Sequence, residues 1–510
     1  PSNKLEAPRP LSALVLGRTP PQHELNCPSC LEDDSMHVAF HVDPLVALFA
    51  WVPIALYCFY RYPVRIAILF NFITGWAVLP TANFVQSDVP FPYWIMGVGL
   101  PAEYFITKAT IMGLTGLAGV LLFDRRSLHR FRFIWWDLPM LLWCAVPLFS
   151  GIANQMTAAG ILQEGLRGTL YQLLAWGVPY LLGRLYFSDG ASLLLAAKAF
   201  VIAGLLYVPI CLIELITGPQ LYVHVYGYQP FRWLGAERYF GFRPIGFLED
   251  GNQLGIWMAA ATLLAVALWR HSAVRRLLGL PIAGVAITLF VVTLLCQSGG
   301  SILLMLFLLP FILLNRPGFR RGLVIALLLG VLCFAGLRLA NVISLRSLVN
   351  RSESAHAIAA FLAKIGRRSF GWRLEQDERH VEAALAEPFL GSGQWNWWRE
   401  GDGRPWGLWL LAYGMYGAVG LVALEATQLA PVVRTAWSSQ ARDYRAGPEL
   451  PDIDLRLAFA AVLLMAAIDN LLNSSMILPL VLVIGGMSAQ TPALSGIKKR
   501  SPQPSAHRFK

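Results

Sequence analysis

The sequence predicts an all-α, polytopic membrane protein of about twelve or thirteen transmembrane helices, with one large extracytoplasmic loop that contains short helices of its own. Three observations predict it. The chain has 510 residues, of which 56% are hydrophobic and only 14% charged, against about 25% charged in ordinary soluble domains; its mean hydropathy is +0.54. Apolar runs of roughly 17 to 25 residues, the length a bilayer requires, recur from one end to the other. Seventeen Trp and sixteen Tyr suit anchoring at the two membrane interfaces.

The elements follow in order. Residues 1–42 form a polar tail without the basic start and apolar core of a cleavable signal peptide. Its Cys27 and Cys30, in "CPSC", precede His37 and His41. That spacing loosely resembles a metal site and equally fits a disulfide; zinc modules space their ligand pairs more widely, so no metal is assigned. Spans are expected at 44–60, 66–84, 103–123, 138–156, 168–187, 191–217, 252–269, 279–297, 301–315 and 322–340, which fill 43–340. A polar connection occupies 341–405, further spans at 406–430, 457–470 and 474–489 fill 406–490, and 491–510 is a basic tail. The run 457–489 is too long for one helix, and "DNLLNSS" (Asp469 to Ser475) divides it as a tight hairpin. Cys58, Cys144, Cys211, Cys296 and Cys333 lie in apolar runs and read as small buried hydrophobes.

The net charge of +11 does not point to nucleic acid. The basic residues stand in short clusters between apolar runs (Arg125, Arg126, Arg130 and Arg132; Arg270, Arg275 and Arg276; Arg316, Arg320 and Arg321; Lys498, Lys499 and Arg500), the pattern of cytoplasmic loops. This orientation leaves 86–102, 218–251 and 341–405 outside, with the N-terminal tail. Within 341–405, residues 354–365 have the apolar spacing of an interfacial helix, and 376–387 suggest a second short helix with Ala383, Ala384 and Leu385 inward. A connection of this length is usually functional. No internal repeat of the transporter kind is evident.

Two stretches concentrate chemistry. In "GFRPIGFLEDGNQLG", Arg243 follows Arg232, Glu237 and Arg238, and Glu249, Asp250 and Asn252 open the next apolar helix. Arginine offers a fixed fork of donors suited to phosphate oxygens; a pair between Arg243 and Glu249 or Asp250 is the structural alternative. The acids can cap the helix or face an acceptor. In "RRSFGWRLEQDERH", Arg373 stands between Trp372 and Leu374 and is the residue expected to be held in place, while the other charges read as a solvated face. His380 is a proton carrier by chemistry, but its setting favours a surface residue. Trp395, Trp397, Trp398 and Trp406 suit the interface or a sugar-stacking surface, and Asp402 and Arg404 lie where the chain re-enters the apolar region. "CQSGGSILL" reads as a site of close helix approach. No phosphate loop, zinc-protease motif or nucleophile elbow occurs, and nothing suggests ATP, haem or a redox cofactor.

The order of these motifs resembles the O-antigen ligase and polymerase superfamily of bacterial envelope glycosyltransferases. The resemblance spans about residues 165 to 490 and rests on "RPIGFLEDGNQLG", "CQSGGSILL", "WRLEQ" and "EPFLGSG", the return helix "GLWLLAYGMYGAVGL" and "DNLLNSS". It implies an inner-membrane enzyme acting at its outer face, which transfers a glycan from undecaprenyl diphosphate to a sugar hydroxyl with inversion, without metal or nucleotide sugar. By that resemblance Arg243 and Arg373 hold the diphosphate, with Arg238 and Arg404 as further candidates. Glu249, Asp250 and Asp402 are candidate bases, and Asn252, Trp395 and Trp406 candidate acceptor contacts. The partners implied are a lipid-linked glycan donor, a glycan or lipid-glycan acceptor and membrane lipids. Many members of the family place a histidine or aspartate just before the return helix. Here "GRPWGLW" has Trp406 near that position, so the proton acceptor is absent there unless Asp402 or Glu400 substitutes, which leaves a divergent transferase or a member that has lost its chemistry. The alternatives are a transporter or flippase, which calls for charges in mid-membrane, and a non-catalytic partner in polysaccharide export.

Overall fold

The computed structural model describes residues 41–82, 105–154, 157–228, 237–270, 274–314, 316–340, 369–398, 404–438, 451–474 and 476–489. The expected cysteine motif Cys27/Cys30, the helix at 354–365, Glu400 and Asp402 lie outside these residues.

The chain is helical. After the Asp43 carboxylate, which accepts from the amides of Leu45 and Val46, come α1 (Pro44–Arg61), α2 (Val64–Val78, with a π-helical turn at Phe70–Thr74), α3 (Lys108–Phe123) and α4 (Leu138–Ala153). Helix α5 runs over 158–186 and is interrupted by π-helical segments Ile161–Leu166 and Leu173–Gly177. Then follow α6 (Gly190–Thr217), the short α7 (Leu221–Tyr226), α8 (Gly251–Arg270), α9 (Ile282–Leu295), α10 (Gly299–Leu313) and α11 (Pro317–Leu339). The last elements are α12 (Ser369–Leu385), α13 (Leu408–Ser438), α14 (Pro451–Asp469) and α15 (Pro479–Ser488). Strand content among the described residues is confined to two-residue hairpins, β1 (Glu237–Arg238) with β2 (Gly241–Phe242), and β3 (Arg276–Leu277) with β4 (Leu280–Pro281).

Among the described residues, six helices are long and apolar enough to cross a membrane: Pro44–Arg61, Trp135–Ala153, Gly190–Thr217, Gly251–Arg270, Gly318–Leu339 and Leu408–Trp437. Every expected span coincides with a helix, several of them shorter than a bilayer crossing. The outer surface of α11 and its neighbours carries exposed Leu303, Leu329, Leu332, Ile287 and Val422, an apolar exterior that a lipid environment accepts and water does not. At the centre stands α8. Its run of small and apolar residues, Ile256 to Leu268, is apolar all round, as a helix enclosed on every side must be, and it packs against α6, α9, α10 and α14.

Three expectations need correction. Cys333 is exposed on the apolar exterior, not buried. The break at Asp469–Ser475 is present, but α14 and α15 do not form a packed hairpin: α15 lies along α5, with Gly183 and Gly485 in backbone-to-backbone contact with Leu482 and Tyr180. Small residues permit that approach. Third, the span expected over 406–430 is not a straight helix. At Gly417 the backbone turns to φ 64, ψ −162. A Cβ on Gly420 would lie 3.5 Å from the Ala412 carbonyl, although residues eight apart in a straight helix are separated by about 12 Å along the axis. Helix α13 is therefore sharply kinked at Gly417. The loop "EPFLGSG" fills the break: Ala418 and Val419 amides donate to the carbonyls of Pro388 and Phe389, and Ser392 and Gly393 amides donate to those of Gly414 and Met415. Asn154, at the end of α4, donates to the Gly391 carbonyl at 2.7 Å.

The connections gather at two poles. At one, Arg65 pairs with Asp189 at 3.0 Å, Arg184 with Asp137 at 2.7 Å, Arg456 donates to the Ser188 carbonyl and Arg434 to that of Ser488. These are the connections expected to share the cytoplasmic side. The opposite pole carries the segments around Thr81, Thr107, Tyr222, Arg243, Asn473 and Arg373.

Candidate functional site

The second pole is built from four segments. The first is the loop 243–250 ahead of α8. Buried Glu214, near the end of α6, fixes it: its Oε2 accepts from the amides of Ile245 and Gly246, both at 2.7 Å, and its Oε1 from Leu221 at 3.3 Å. Asp250 caps α8, its Oδ1 accepting from the Gln253 amide at 2.7 Å, so the capping role read from the sequence is present. Arg243 lies on the first turn of α8, where a Cβ on Gly251 would come within 2.5 Å of its Nε; the glycine gives the guanidinium its place. Arg243 Nη2 donates to Asn252 Oδ1 at 2.7 Å, and its buried Nε has no hydrogen-bond partner.

The second segment is α12, which begins earlier than expected and so carries Arg373, Asp377 and His380 on one face, at spacings of four and three. Arg373 Nη1 donates to Asn473 Oδ1. Asn473, in the third segment after α14, in turn donates to Asp469 Oδ1 at 2.8 Å. Asp377 is not solvated. It is buried and accepts from the amides of Trp406 and Gly407, at 2.5 Å for Trp406. It thereby places the fourth segment, 404–407, whose Trp406 ring has the guanidinium carbons of Arg404 at 3.6 Å and Arg373 at 5.0 Å from its centroid, with Trp372 against it in a T-shaped contact. Trp406 is thus a cation-holding ring.

Charge links the segments. The Asp250 carboxylate acts on Arg243, Arg373 and Arg404 together, and the charges of Arg373 and Arg238 act on Arg243. Burial lowers the Arg243 guanidinium to about 10 and that of Arg404 to about 9, and lowers Arg373 as well. All three stay protonated at neutral pH and carry a desolvation cost that a bound anion would relieve. The expected alternative for Arg243, an ion pair with Glu249 or Asp250, does not form: among the described residues no carboxylate oxygen lies within 4.0 Å of a guanidinium nitrogen of Arg243 or Arg373. Each is held by a side-chain amide oxygen instead, which positions the fork without neutralising it.

The remaining candidates separate. Glu249 is paired with Lys108 on α3 rather than with an arginine, with Lys108 Nζ 3.8 Å from Glu249 Oε1. Arg238 is exposed on the hairpin. Trp395 is half-buried against the core and its carbonyl accepts from Trp398 Nε1 at 3.1 Å, so it packs rather than offering an open sugar platform. His380 is buried, not a surface residue: its Nδ1 donates to the Gln376 carbonyl at 2.8 Å and its Nε2 is enclosed without a partner. Of the two other inward residues expected beside Ala384, Leu385 is half-buried and Ala383 is exposed.

Sequence reasoning missed Lys108, Glu214, Asn473 and Glu425. Lys108 opens an apolar run and reads as a residue reaching for the interface. Glu425, inside α13, is buried with an unpartnered Oε2, so not every charge of the chain gathers at the polar ends. Ser298 and Ser301 of "CQSGGSILL" pack against Gly255 of α8, the close helix approach that the glycines suggested.

Fold and site define a helical protein with membrane-spanning helices and an arginine-lined pole. Comparison of the chain with protein-family models, curated proteins and solved structures finds no match.

Proposed function

We propose that the chain is a membrane glycosyltransferase of the ligase or polymerase kind, moving a glycan from an undecaprenyl-diphosphate carrier to a sugar hydroxyl at the outer face of a bacterial inner membrane. One observation carries the reading: Arg243 and Arg373, from segments far apart in sequence, share one half-buried pole, and both are oriented by asparagine oxygens rather than paired with acids. Such forks suit the oxygens of a diphosphate. The order of sequence motifs, which resembles that superfamily, supports the same reading.

In this mechanism the diphosphate is its own leaving group, and fixed guanidiniums in a water-poor site stabilise the charge that develops on it. Arg404, stacked on Trp406, adds a third positive charge to the same pole. The acceptor oxygen attacks the anomeric carbon from the face opposite the departing phosphate, and an acid near Asn252 takes its proton. Glu249 and Asp250 stand closest in sequence to that position, and Asp250 already spends one oxygen on its helix cap. No metal or nucleotide cofactor enters the proposal.

The test is transfer by the purified protein from a lipid-diphosphate glycan to a glycan acceptor, read by gel shift or mass spectrometry. Wild-type protein transfers; Arg243→Ala and Arg373→Ala lower the rate by about 10²–10³-fold while remaining folded. Full transfer by both variants contradicts the mechanism. Transport of the lipid-linked substrate without bond exchange would establish the flippase alternative.

A further inference from the structure

Of the two candidate acids among the described residues, Glu249 is the one whose carboxylate is paired with a buried cation. Lys108 Nζ lies 3.8 Å from it, its side chain 1% exposed, and the Glu249 side chain 15% exposed. The ammonium rests over the Trp76 ring at 5.6 Å and donates no hydrogen bond. At this separation the enclosed ammonium acts on the carboxylate through charge rather than through a hydrogen bond. Glu249 is held from its own side as well. Its amide donates to Gln253 Oε1 at 3.1 Å, and Gln253 Nε2 donates to the Met476 carbonyl. The groups that act on its carboxyl are Lys108 from α3, Tyr171 from α5, Gln253 from α8 and Asp250 beside it.

We infer that Glu249 and Lys108 form the proton-accepting pair of the site: Glu249 takes the proton of the attacking hydroxyl, and Lys108 is the positioning residue that keeps its carboxylate ionised. The inference rests on the glycosyl-transfer reading above and supplies the base that the return-helix position lacks. In the step, the acceptor oxygen forms its bond to the anomeric carbon, the bond from that carbon to the phosphate oxygen breaks with its electron pair, and the hydroxyl proton passes to Glu249. The lipid diphosphate leaves on the arginines, and Glu249 returns the proton to water. Burial is the main force on this carboxyl and Lys108 opposes it, leaving the group at about 7, where a general base works best.

The experiment is the pH dependence of kcat/KM for transfer from the lipid-diphosphate glycan, with wild type, Lys108→Met, Lys108→Arg and Glu249→Gln, each checked for folding by size exclusion and thermal unfolding. In wild type the rate falls on the acid side as Glu249 takes up a proton. Lys108→Met moves that acid limb upward by about one pH unit or more, and Lys108→Arg restores it. Glu249→Gln removes the limb and lowers the rate by about 10²–10⁴-fold. An acid limb unmoved in folded Lys108→Met overturns the inference, as does one that persists in Glu249→Gln, which decides the matter if Lys108→Met does not fold. Wild-type protein that transfers nothing would instead defeat the glycosyl-transfer reading, so the two failures are distinct.

Discussion

Replacing Gly417 by alanine tests whether the kink in α13 organises the pole. The residue has φ 64 and ψ −162, a region only glycine occupies readily, and holding another residue there costs about 1–3 kcal/mol. A Cβ at this site would also lie 2.3 Å from the carbonyl carbon and oxygen of Phe389. Those are backbone atoms of the loop that bonds to Ala418 and Val419, so relief requires moving the loop, at a further ~1–3 kcal/mol by analogy with overpacking. The expected loss is about 2–6 kcal/mol. In a chain of this length that corresponds to roughly 1–2 °C per kcal/mol in Tm, several degrees in all, measurable by tryptophan fluorescence in detergent. Gly330→Ala is the control: it lies exposed within α11 with nothing within 4 Å of its Cβ position and gains about 0.5–1 kcal/mol of helix propensity. Gly417→Ala with the stability and transfer activity of wild type would refute a role for the kink.

Further outcomes follow from the anchors of the pole. Burial pushes the Asp377 carboxyl up to about 6, well above its ordinary value, against the pull of the Trp406 and Gly407 amides. A carboxyl raised on folding favours the native state most at low pH, and that contribution is lost as pH rises through 6; Asp377→Asn therefore flattens the fall of Tm between pH 4 and pH 7, and an unchanged slope contradicts the assignment. Glu214→Ala leaves the buried amides of Ile245 and Gly246 without acceptors, at roughly 1–3 kcal/mol each. It lowers Tm and speeds hydrogen exchange at those two amides; unaltered exchange there would show that the loop is held by other means.

The helical course of the chain was legible because hydrophobic length is a strong local signal, and each expected span found its helix. What escaped the sequence was non-local. "GLWLLAYGMYGAVGL" is apolar throughout, and only the loop that bonds into it at 388–393 turns it at Gly417. Arg373 stood out between Trp372 and Leu374, but its partner Asn473 is separated by 100 residues, a pairing that no spacing rule contains. Asp377 and His380 were misjudged because a charged stretch usually marks a solvated face. Here α12 is covered by the returning chain, and the Trp406 and Gly407 amides make burial of Asp377 tolerable. Lys108 was invisible for the opposite reason: its partner Glu249 belongs to another loop. Arg243 stood out in the sequence as a candidate for anion binding, and the structure adds that Asn252, not an acid, orients it.

The central claim is that Arg243 and Arg373 grip one diphosphate between them. The direct measurement is the Kd of undecaprenyl diphosphate for purified wild type, Arg243→Ala, Arg373→Ala and the double variant. Hydrogen bonds to a charged group contribute about 1.5–3 kcal/mol, so each single substitution should weaken binding by about 10- to 150-fold, and the double variant by less than the product of the two. Affinities of both single variants equal to wild type, or losses that simply multiply as for two unconnected sites, would contradict it.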